Sequence, residues 1–223
     1  PILGVNIGKV GFMAAYELAT LEPAAEQLFG GEQPLPIVES RTINAELFDD
    51  GAAAARRRAR AINEFVVTAG PPYRMITLAT RINGSPGPSV SGDGVIVATP
   101  TGSTAYNVSA GGPIVSPGVD AMVLTPIAAH SLSFRPLVVP VSAEIELAVS
   151  SVNAYESAGT TLVIDGQVHE RIHAGDVLRV TPSDASVRLL LNPRTSYWET
   201  LLRKMHWASA PSGREQRRSP GTC

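Results

Sequence analysis

Residues 92–113 read GDGVIVATPTGSTAYNVSAGGP. The apolar run at 95–97 predicts a short buried strand, with Asp93 at its mouth between two glycines. The loop that follows is dense in hydroxyls and backbone N–H groups, which can hydrogen-bond a ribose, a phosphate or a base edge. Tyr106 adds an aromatic face for stacking, and Ser109 adds a hydroxyl. From the residues alone, a ligand-binding loop and a loop that merely turns the chain both stay open.

Several familiar site patterns do not occur in the sequence. There is no Gly-x-x-x-x-Gly-Lys-Ser/Thr loop and no Gly-x-Gly-x-x-Gly after a strand. The hydrolase elbow Gly-x-Ser-x-Gly is missed because Asn107 stands at its first position. Cysteines and histidines do not cluster with metal-ligand spacing, so we expect no metal site within this chain.

Around this stretch, runs of strand character alternate with turn residues, which predicts a layered or sandwich β-domain. The runs cover residues 41–48, 75–82, 95–98, 144–149, 161–164, 177–180 and 187–191. Asp49-Asp50-Gly51 and Asn83-Gly84 are turn signals after the first two runs. Residues 52–61, AAAARRRARA, have helical propensity. Because they link a turn to strand-like residues 62–67, we expect a hairpin arm whose arginines form a solvated basic face rather than a phosphate site.

The two ends of the chain differ from this pattern. Residues 2–6 predict a short buried strand, 8–12 a glycine-punctuated loop and 14–28 a helix that ends at Gly30-Gly31, as at the end of an α/β domain. Residues 195–207 predict a helix, and 208–223 a disordered tail. Since Pro1 opens directly into an apolar run, we expect an N-terminally truncated chain.

Composition restricts the class of protein without identifying it. The 223 residues are 44% hydrophobic and 17% charged, typical of a globular protein, and the net charge of -2 gives no reason to expect a nucleic-acid partner. No apolar run is long enough to cross a bilayer, and no signal-peptide pattern opens the chain. The only cysteine is Cys223, so we expect no internal disulfide and a reducing, cytoplasmic location.

Residues 98–117, ATPTGSTAYNVSAGGPIVSP, resemble the signature of the NAD kinases, and further matches follow the family's order. These are residues 2–12 (ILGVNIGKVGF), Asn63-Glu64, residues 124–140 (LTPIAAHSLSFRPLVVP) and Asp165-Gly166-Gln167. The likeness covers residues 1–192, and together the motifs are highly specific.

The resemblance implies an α+β fold in four parts. Residues 1–31 would end a truncated N-terminal α/β domain, 32–192 would form a β-rich, stacked-sheet NAD-binding domain, 193–207 a C-terminal helix returning to the first domain, and 208–223 a disordered tail. It also implies a homodimer or homotetramer.

The family's binding roles carry over residue by residue. Asn63 would hydrogen-bond the adenine of NAD, and Glu64 would hold the ribose hydroxyls. Asp93 would accept from the nicotinamide carboxamide. The NAD-binding residues implied by the resemblance are Asn63, Glu64, Arg74, Ser91, Asp93, Thr104, Ala105, Tyr106, Asn107, Val108, Ser109, Ala128 and Gln167. Many members of the family carry arginine where this chain has Ser91.

The activity implied is phosphoryl transfer from ATP, or polyphosphate, to the adenosine ribose 2′-hydroxyl of NAD, with Mg²⁺ or another divalent metal, giving NADP. The family's Gly-Gly-Asp-Gly motif, whose Asp takes the proton from that hydroxyl, is missing from the 223 residues. Gly92-Asp93-Gly94 belongs to the other signature. We therefore expect the catalytic base upstream of Pro1 and an inactive fragment.

Two alternatives to an NAD kinase remain at this point. One is a related lipid or sugar kinase of the same superfamily, which Asn63-Glu64 and the Tyr106 loop disfavour because they suit an adenine dinucleotide. The other is a non-catalytic NAD-binding or assembly module.

Overall fold

The computed structural model describes residues 1–7, 14–31, 34–131, 133–153 and 159–205. Its contacts divide the chain into two compact units, of which the larger comprises Pro1–Ile2 and Ile37–Leu189. The smaller comprises Leu3–Pro36 and the chain from Leu190 onward. The domain boundaries predicted at 31/32 and 192/193 stay predictions. The predicted loop at 8–12 and the predicted tail at 208–223 both lie outside the described residues.

The described residues form fifteen strands and four short α-helices. The strands are β1 Val5–Asn6, β2 Tyr16–Glu17, β3 Ile37–Phe48, β4 Arg57–Ala61, β5 Glu64–Thr68, β6 Ile76–Ile82, β7 Ser85–Pro86, β8 Val90–Gly92, β9 Gly94–Ala98, β10 Ala121–Ile127, β11 Leu137–Pro140, β12 Ile145–Ser151, β13 Thr161–Ile164, β14 Val168–Arg171 and β15 Val177–Leu190. The helices are α1 Leu18–Leu21, α2 Ala25–Phe29, α3 Tyr106–Ser109 and α4 Tyr197–Met205, with single 3-10 turns at Glu22–Ala24 and Gly102–Thr104.

Two sheets form the larger unit. One has the order β11-β10-β9-β5-β13-β14, and the other has the order β4-β3-β15-β12-β6-β7, with β8 also paired to β6. The main hydrophobic core takes side chains from both, including Phe65, Val97 and Leu124 of the first and Ile43, Leu78 and Leu147 of the second. Since the alternate residues of each strand point to one face, this core covers one side of each sheet. The predicted α+β fold with a stacked-sheet domain is confirmed.

The second half of the arginine-rich segment at 52–61 is a strand, Arg57–Ala61, as predicted against its helical propensity. β4 pairs antiparallel with β3 from Ile43↔Ala61 to Leu47↔Arg57, so pairing with the sheet outweighs local preference. Arg57, Arg58 and Arg60 are exposed. The preceding arginine differs from the predicted solvated face, because Arg56 lies 2.9 Å from the buried carboxylate of Asp176.

The Asn83-Gly84 turn is confirmed. Both residues have positive φ, 50° and 74°, which is the backbone that a two-residue hairpin requires. The separate strands predicted at 177–180 and 187–191 are wrong, since β15 runs unbroken through Pro182. Pairing of β15 with β12 covers Val177–Val180, so Pro182 removes no hydrogen bond on that side.

The smaller unit corrects two predictions. The helix expected over 14–28 is divided into β2, α1, a 3-10 turn and α2. The reason is Pro23 at the start of the 3-10 turn, which lacks the N–H that a continuous helix needs. The strand expected over 2–6 is shorter and less buried than predicted, and Ile2 is 54% exposed.

The predicted C-terminal helix is present as α4. Within the smaller unit, Arg203 of α4 lies 3.8 Å from the carboxylate of Glu17. Among the described residues, no helix is long and apolar enough to cross a membrane.

Candidate functional site

The six-stranded sheet turns a second face away from the main core. On β5, Glu64, Val66 and Thr68 occupy alternate positions and therefore share this face. Across the ladder, Val66 lies opposite Val163 of β13, and Thr68 lies opposite Thr161. These side chains form the floor of a cavity.

The cavity has a volume of about 570 Å³. Beyond the floor it is lined by Gly70, Pro71, Tyr73, Tyr106 and Gly166. Small-molecule sites fall at roughly 300–1,000 Å³ and combine apolar walls with a few polar groups. Size and lining therefore both suit an organic ligand with an aromatic part.

Glu64 is the charged group of this cavity. Its side chain is only 4% exposed, and among the described residues its Oε2 atom has no hydrogen-bond partner. Burial raises the pKa of the Glu64 carboxyl from 4.5 to about 7, and the negative charge of Asp165 adds to the rise, while a backbone hydrogen bond from Tyr106 opposes it. A buried carboxylate with an unused acceptor is costly for a protein unless a ligand completes it.

The raised pKa predicts a pH-dependent stability. Below pH 4.5 Glu64 is protonated in both states, and between about pH 4.5 and 7 the unfolded chain loses this proton first. The free energy of unfolding should therefore fall as pH rises through this window, by up to about 3 kcal/mol at pH 8. Chemical denaturation at pH 4 and pH 8 measures the difference.

The matched variant is Glu64→Gln, which keeps the shape but does not titrate. Its loss of stability between the two pH values should be smaller than that of the wild type by up to about 3 kcal/mol. Equal losses in both proteins would show that Glu64 ionises normally.

Asp165 fixes the chain that carries Glu64. Its carboxylate accepts the backbone N–H of Ile62 at 2.9 Å, of Asn63 at 2.7 Å and of Glu64 at 3.0 Å. Asp165 has a positive φ of 47° in the turn between β13 and β14, a backbone that Asp tolerates better than most residues. The predicted Asn63-Glu64 motif is thus held by the turn at 165–167, which the resemblance also singled out.

Most hydroxyls of the signature loop, residues 99–113 after β9, form hydrogen bonds within the protein. The Thr99 hydroxyl donates to the carbonyl of Ile62 at 2.6 Å and accepts from the N–H of Gly102 at 3.0 Å. The Ser103 hydroxyl donates to the carbonyl of Pro100, and the Thr104 hydroxyl donates to the carbonyl of Thr101. These hydroxyls therefore hold the loop in shape, and the contact of the loop with a ligand stays a prediction.

Asn107 is a buried brace of the same loop. Its side-chain amide donates to the carbonyls of Ser103 and Pro113, both at 3.0 Å, and its oxygen accepts from the Thr125 hydroxyl at 2.6 Å. A side chain on Gly112 would overlap this amide. Any contact of Asn107 with a ligand would thus be through its backbone.

The other predicted residues of the loop differ in how far they reach the surface. Tyr106 and Ser109 are exposed, whereas Thr104, Ala105 and Val108 are half-buried. The side chains of Tyr106 and Ser109 are therefore open to solvent.

Asp93 belongs to a second group, where three segments of backbone cross. Its N–H donates to the carbonyl of Ile127 at 2.9 Å, and its carbonyl accepts from Ala69 at 2.8 Å. A Cβ at Gly94 would lie 3.1 Å from the Cα of Thr68, so this glycine admits neighbouring backbone rather than a ligand. Next to Ile127, exposed Ala128 has a positive φ of 46°.

Three predicted residues lie at the margins of these two groups. The Ser91 hydroxyl is 3.2 Å from that of Thr77, on the edge strand β8. Arg74 is exposed and follows Tyr73 of the cavity wall, and Gln167 is exposed and follows Gly166.

The structure thus brings Glu64 and Tyr106 to one cavity, with Asn63 adjoining, and places Asp93, Ser91 and Ala128 around a separate crossing. Sequence reasoning missed Tyr73 and the floor residues Thr68 and Thr161. Gly70-Pro71-Pro72 before Tyr73 was a signal for a fixed turn. Among the described residues, no group of three or more His, Cys, Asp or Glu could hold a metal ion, and the divalent metal predicted with ATP stays a prediction.

Comparison with known proteins places this geometry in a family. Residues 62–191 match the model of the ATP-NAD kinase C-terminal domain. An NAD kinase of Geotalea daltonii is 36% identical over 207 residues, which cover 93% of this chain and 70% of that protein. An NAD kinase of Wolinella succinogenes is 38% identical over 211 residues, covering 94% and 69%.

Solved structures agree. The yeast NADH kinase complexed with NADH superposes with a TM-score of 0.84 at 24% identity, over 95% of this chain and 61% of that one, and shows the fold. An NAD kinase from Archaeoglobus fulgidus in complex with ATP superposes with a TM-score of 0.67 at 28% identity, over 92% of this chain and 74% of that one. The resemblance inferred from the motifs is confirmed, and the chain belongs to the NAD kinase family.

Proposed function

We propose that this chain supplies the NAD-binding half of an NAD kinase, which phosphorylates the adenosine ribose 2′-hydroxyl of NAD. The observation that carries the proposal is Glu64, a buried carboxylate with one oxygen that has no hydrogen-bond partner within the described part of the chain, in a cavity of about 570 Å³. Family membership supports the reaction, and the cavity would take the acceptor.

The unused acceptor of Glu64 suits a ribose. A carboxylate accepts from two vicinal hydroxyls at once, and such charge-assisted hydrogen bonds are stronger than neutral ones. Fixing both hydroxyls also fixes the orientation of the one that is to be phosphorylated, which is how positioning lowers the barrier to a transfer. Tyr106 would contact the adenine beside it.

Asp93 would receive the other end of the dinucleotide. Backbone hydrogen bonds to Ile127 and from Ala69 fix the position of Asp93 on two sides. The carboxamide of nicotinamide offers an N–H that a carboxylate can accept. Ser109 and Ala128 would flank it, as the family resemblance implies.

Removing either carboxylate should weaken NAD binding. We expect Glu64→Ala and Asp93→Ala each to lower the affinity for NAD by about 10-fold or more, since a hydrogen bond to a charged group contributes about 1.5–3 kcal/mol. Isothermal titration calorimetry with NAD measures both.

Glu22→Gln is the control, because Glu22 is an exposed carboxylate in the 3-10 turn of the smaller unit. It should bind NAD as the wild type does. Unchanged affinity in both Glu64→Ala and Asp93→Ala, with the fold intact by circular dichroism, would refute the assignment of the site.

The remaining features of the enzyme are proposed on family membership. The donor would be ATP, or polyphosphate, with Mg²⁺ or another divalent metal, and phosphoryl transfer of this kind depends mainly on positioning and charge neutralisation. The protein would act in the cytoplasm as a homodimer or homotetramer. Light scattering on the purified protein would measure the number of subunits.

A further inference from the structure

We propose that Tyr73 is an additional binding residue of this site, one that stacks on the adenine from the side opposite Tyr106. The inference rests on the proposed function, since it assigns a second aromatic wall to the cavity that would take the adenosine part of NAD. Both tyrosines line that cavity, together with Glu64. Both residues are also exposed, Tyr73 to 64% and Tyr106 to 45%.

The backbone of Tyr73 is held in a conformation that favours glycine. Its φ is 57°, in the left-handed region that bulky residues seldom occupy. Its N–H donates to the carbonyl of Gly70 at 2.6 Å, which closes a tight turn. Residues in such conformations persist where the surrounding structure fixes them, and they concentrate at ligand-binding sites.

The buried side-chain amide of Asn153 holds the turn that precedes Tyr73. Asn153 is only 3% exposed, and its side-chain N–H₂ group lies 3.1, 3.0 and 3.0 Å from the carbonyl oxygens of Ala69, Gly70 and Pro71. The N–H of Asn153 in turn donates to the Thr160 hydroxyl at 2.8 Å. The backbone that carries Tyr73 is therefore held by a hydrogen-bond network inside the protein.

The chemistry of the cavity matches a purine nucleoside. The floor of the cavity is apolar at Val66 and Val163, and Glu64, which also lines it, would supply an acceptor for ribose hydroxyls. Stacking on aromatic side chains is a general way to bind a base, because every base has a π-face. A base between Tyr73 and Tyr106 would leave its sugar at Glu64.

The test compares ligands that share or lack the adenine. Wild type, Tyr73→Leu and Tyr73→Phe are titrated by calorimetry with NAD, AMP and nicotinamide mononucleotide. We expect Tyr73→Leu to lower the affinity for NAD and AMP by about 10-fold, as the loss of one stacked face predicts, and to leave nicotinamide mononucleotide binding as in the wild type. Tyr73→Phe keeps the ring and should retain most of the affinity.

Two controls separate the ring from the fold. Trp198→Leu removes an exposed aromatic of α4 and should change no affinity. If Tyr73→Leu unfolds, Tyr73→Gly gives the same comparison, because glycine adopts positive φ without strain.

Each outcome decides between the two proposals. Wild-type affinity for AMP in the ring-less Tyr73 variant, or an equal loss for nicotinamide mononucleotide, would overturn the role of Tyr73 while Glu64 and Asp93 remained the site. A wild-type chain that binds neither NAD nor AMP would overturn the proposed function and this inference together.

Discussion

Replacing Gly102 with alanine is expected to destabilise the larger unit by more than about 3 kcal/mol and to abolish NAD binding. A Cβ at Gly102 would overlap the carbonyl oxygen of Asn63, and it would lie 2.5 Å from the carbonyl carbon and 2.7 Å from the Cα of the same residue. All three atoms belong to the backbone of Asn63, so a change of side-chain rotamer cannot relieve the overlap. Denaturant titration and calorimetry with NAD measure the two effects.

Gly51→Ala is the matched control. Gly51 has a φ of 66°, and a Cβ there would meet no atom of the described residues within 4 Å. Its substitution should cost only about 1 kcal/mol, from the left-handed backbone alone, and leave NAD binding unchanged. If both glycine variants lost similar stability, close approach of the signature loop to Asn63 would not be what holds the site.

The close approach at Gly102 also shows what the sequence could reveal of this site. The motif indicated a loop with small residues after a buried strand, and β9 with its loop confirms that. Nothing in the motif shows that Asn63 packs directly on Gly102, since the two are far apart in the chain. The same limit applies to the hydroxyls of Thr99 and Ser103, whose acceptors are carbonyls of Ile62 and Pro100.

Local signals predicted the strands well where they agreed with sheet pairing. Asn83-Gly84 is a hairpin turn because both residues accept positive φ. The arginine-rich run required the preceding turn to be weighed against helix propensity, and pairing with β3 decides it. The apolar spacing over 14–28 predicts one helix, but Pro23 interrupts it.

The electrostatics of Glu64 were beyond the sequence for a different reason. The motif implied a ribose contact, but the raised pKa depends on burial within the sheet and on the charge of Asp165, which is distant in the chain. Tyr73 was missed because its place in the cavity wall depends on a turn held by Asn153. Motifs identify residue types, whereas tertiary contacts decide which of them have unused hydrogen-bonding groups.

The second large effect is expected at Asp165. Asp165→Ala leaves three backbone N–H groups, those of Ile62, Asn63 and Glu64, without their carboxylate acceptor. Each buried donor left unpaired costs about 1–3 kcal/mol, so we expect a loss of about 3 kcal/mol or more after water reaches part of this half-buried turn. NAD affinity should fall as well, because the same bonds fix the chain that carries Glu64. Denaturant titration and calorimetry with NAD measure the two losses, and the exposed Asp184→Ala is the control.

The Asp165→Asn variant separates the hydrogen bonds of Asp165 from its negative charge. Asparagine keeps one oxygen acceptor and tolerates positive φ, so it should cost less stability than alanine. It also removes the negative charge that helps to raise the pKa of Glu64, so that pKa should fall below about 7. The pH-dependent loss of stability attributed to Glu64 should then be smaller in Asp165→Asn than in the wild type. A pH dependence identical to the wild type, or an Asp165→Ala variant no less stable than Asp184→Ala, would show that the turn after β13 neither braces nor tunes the Glu64 cavity.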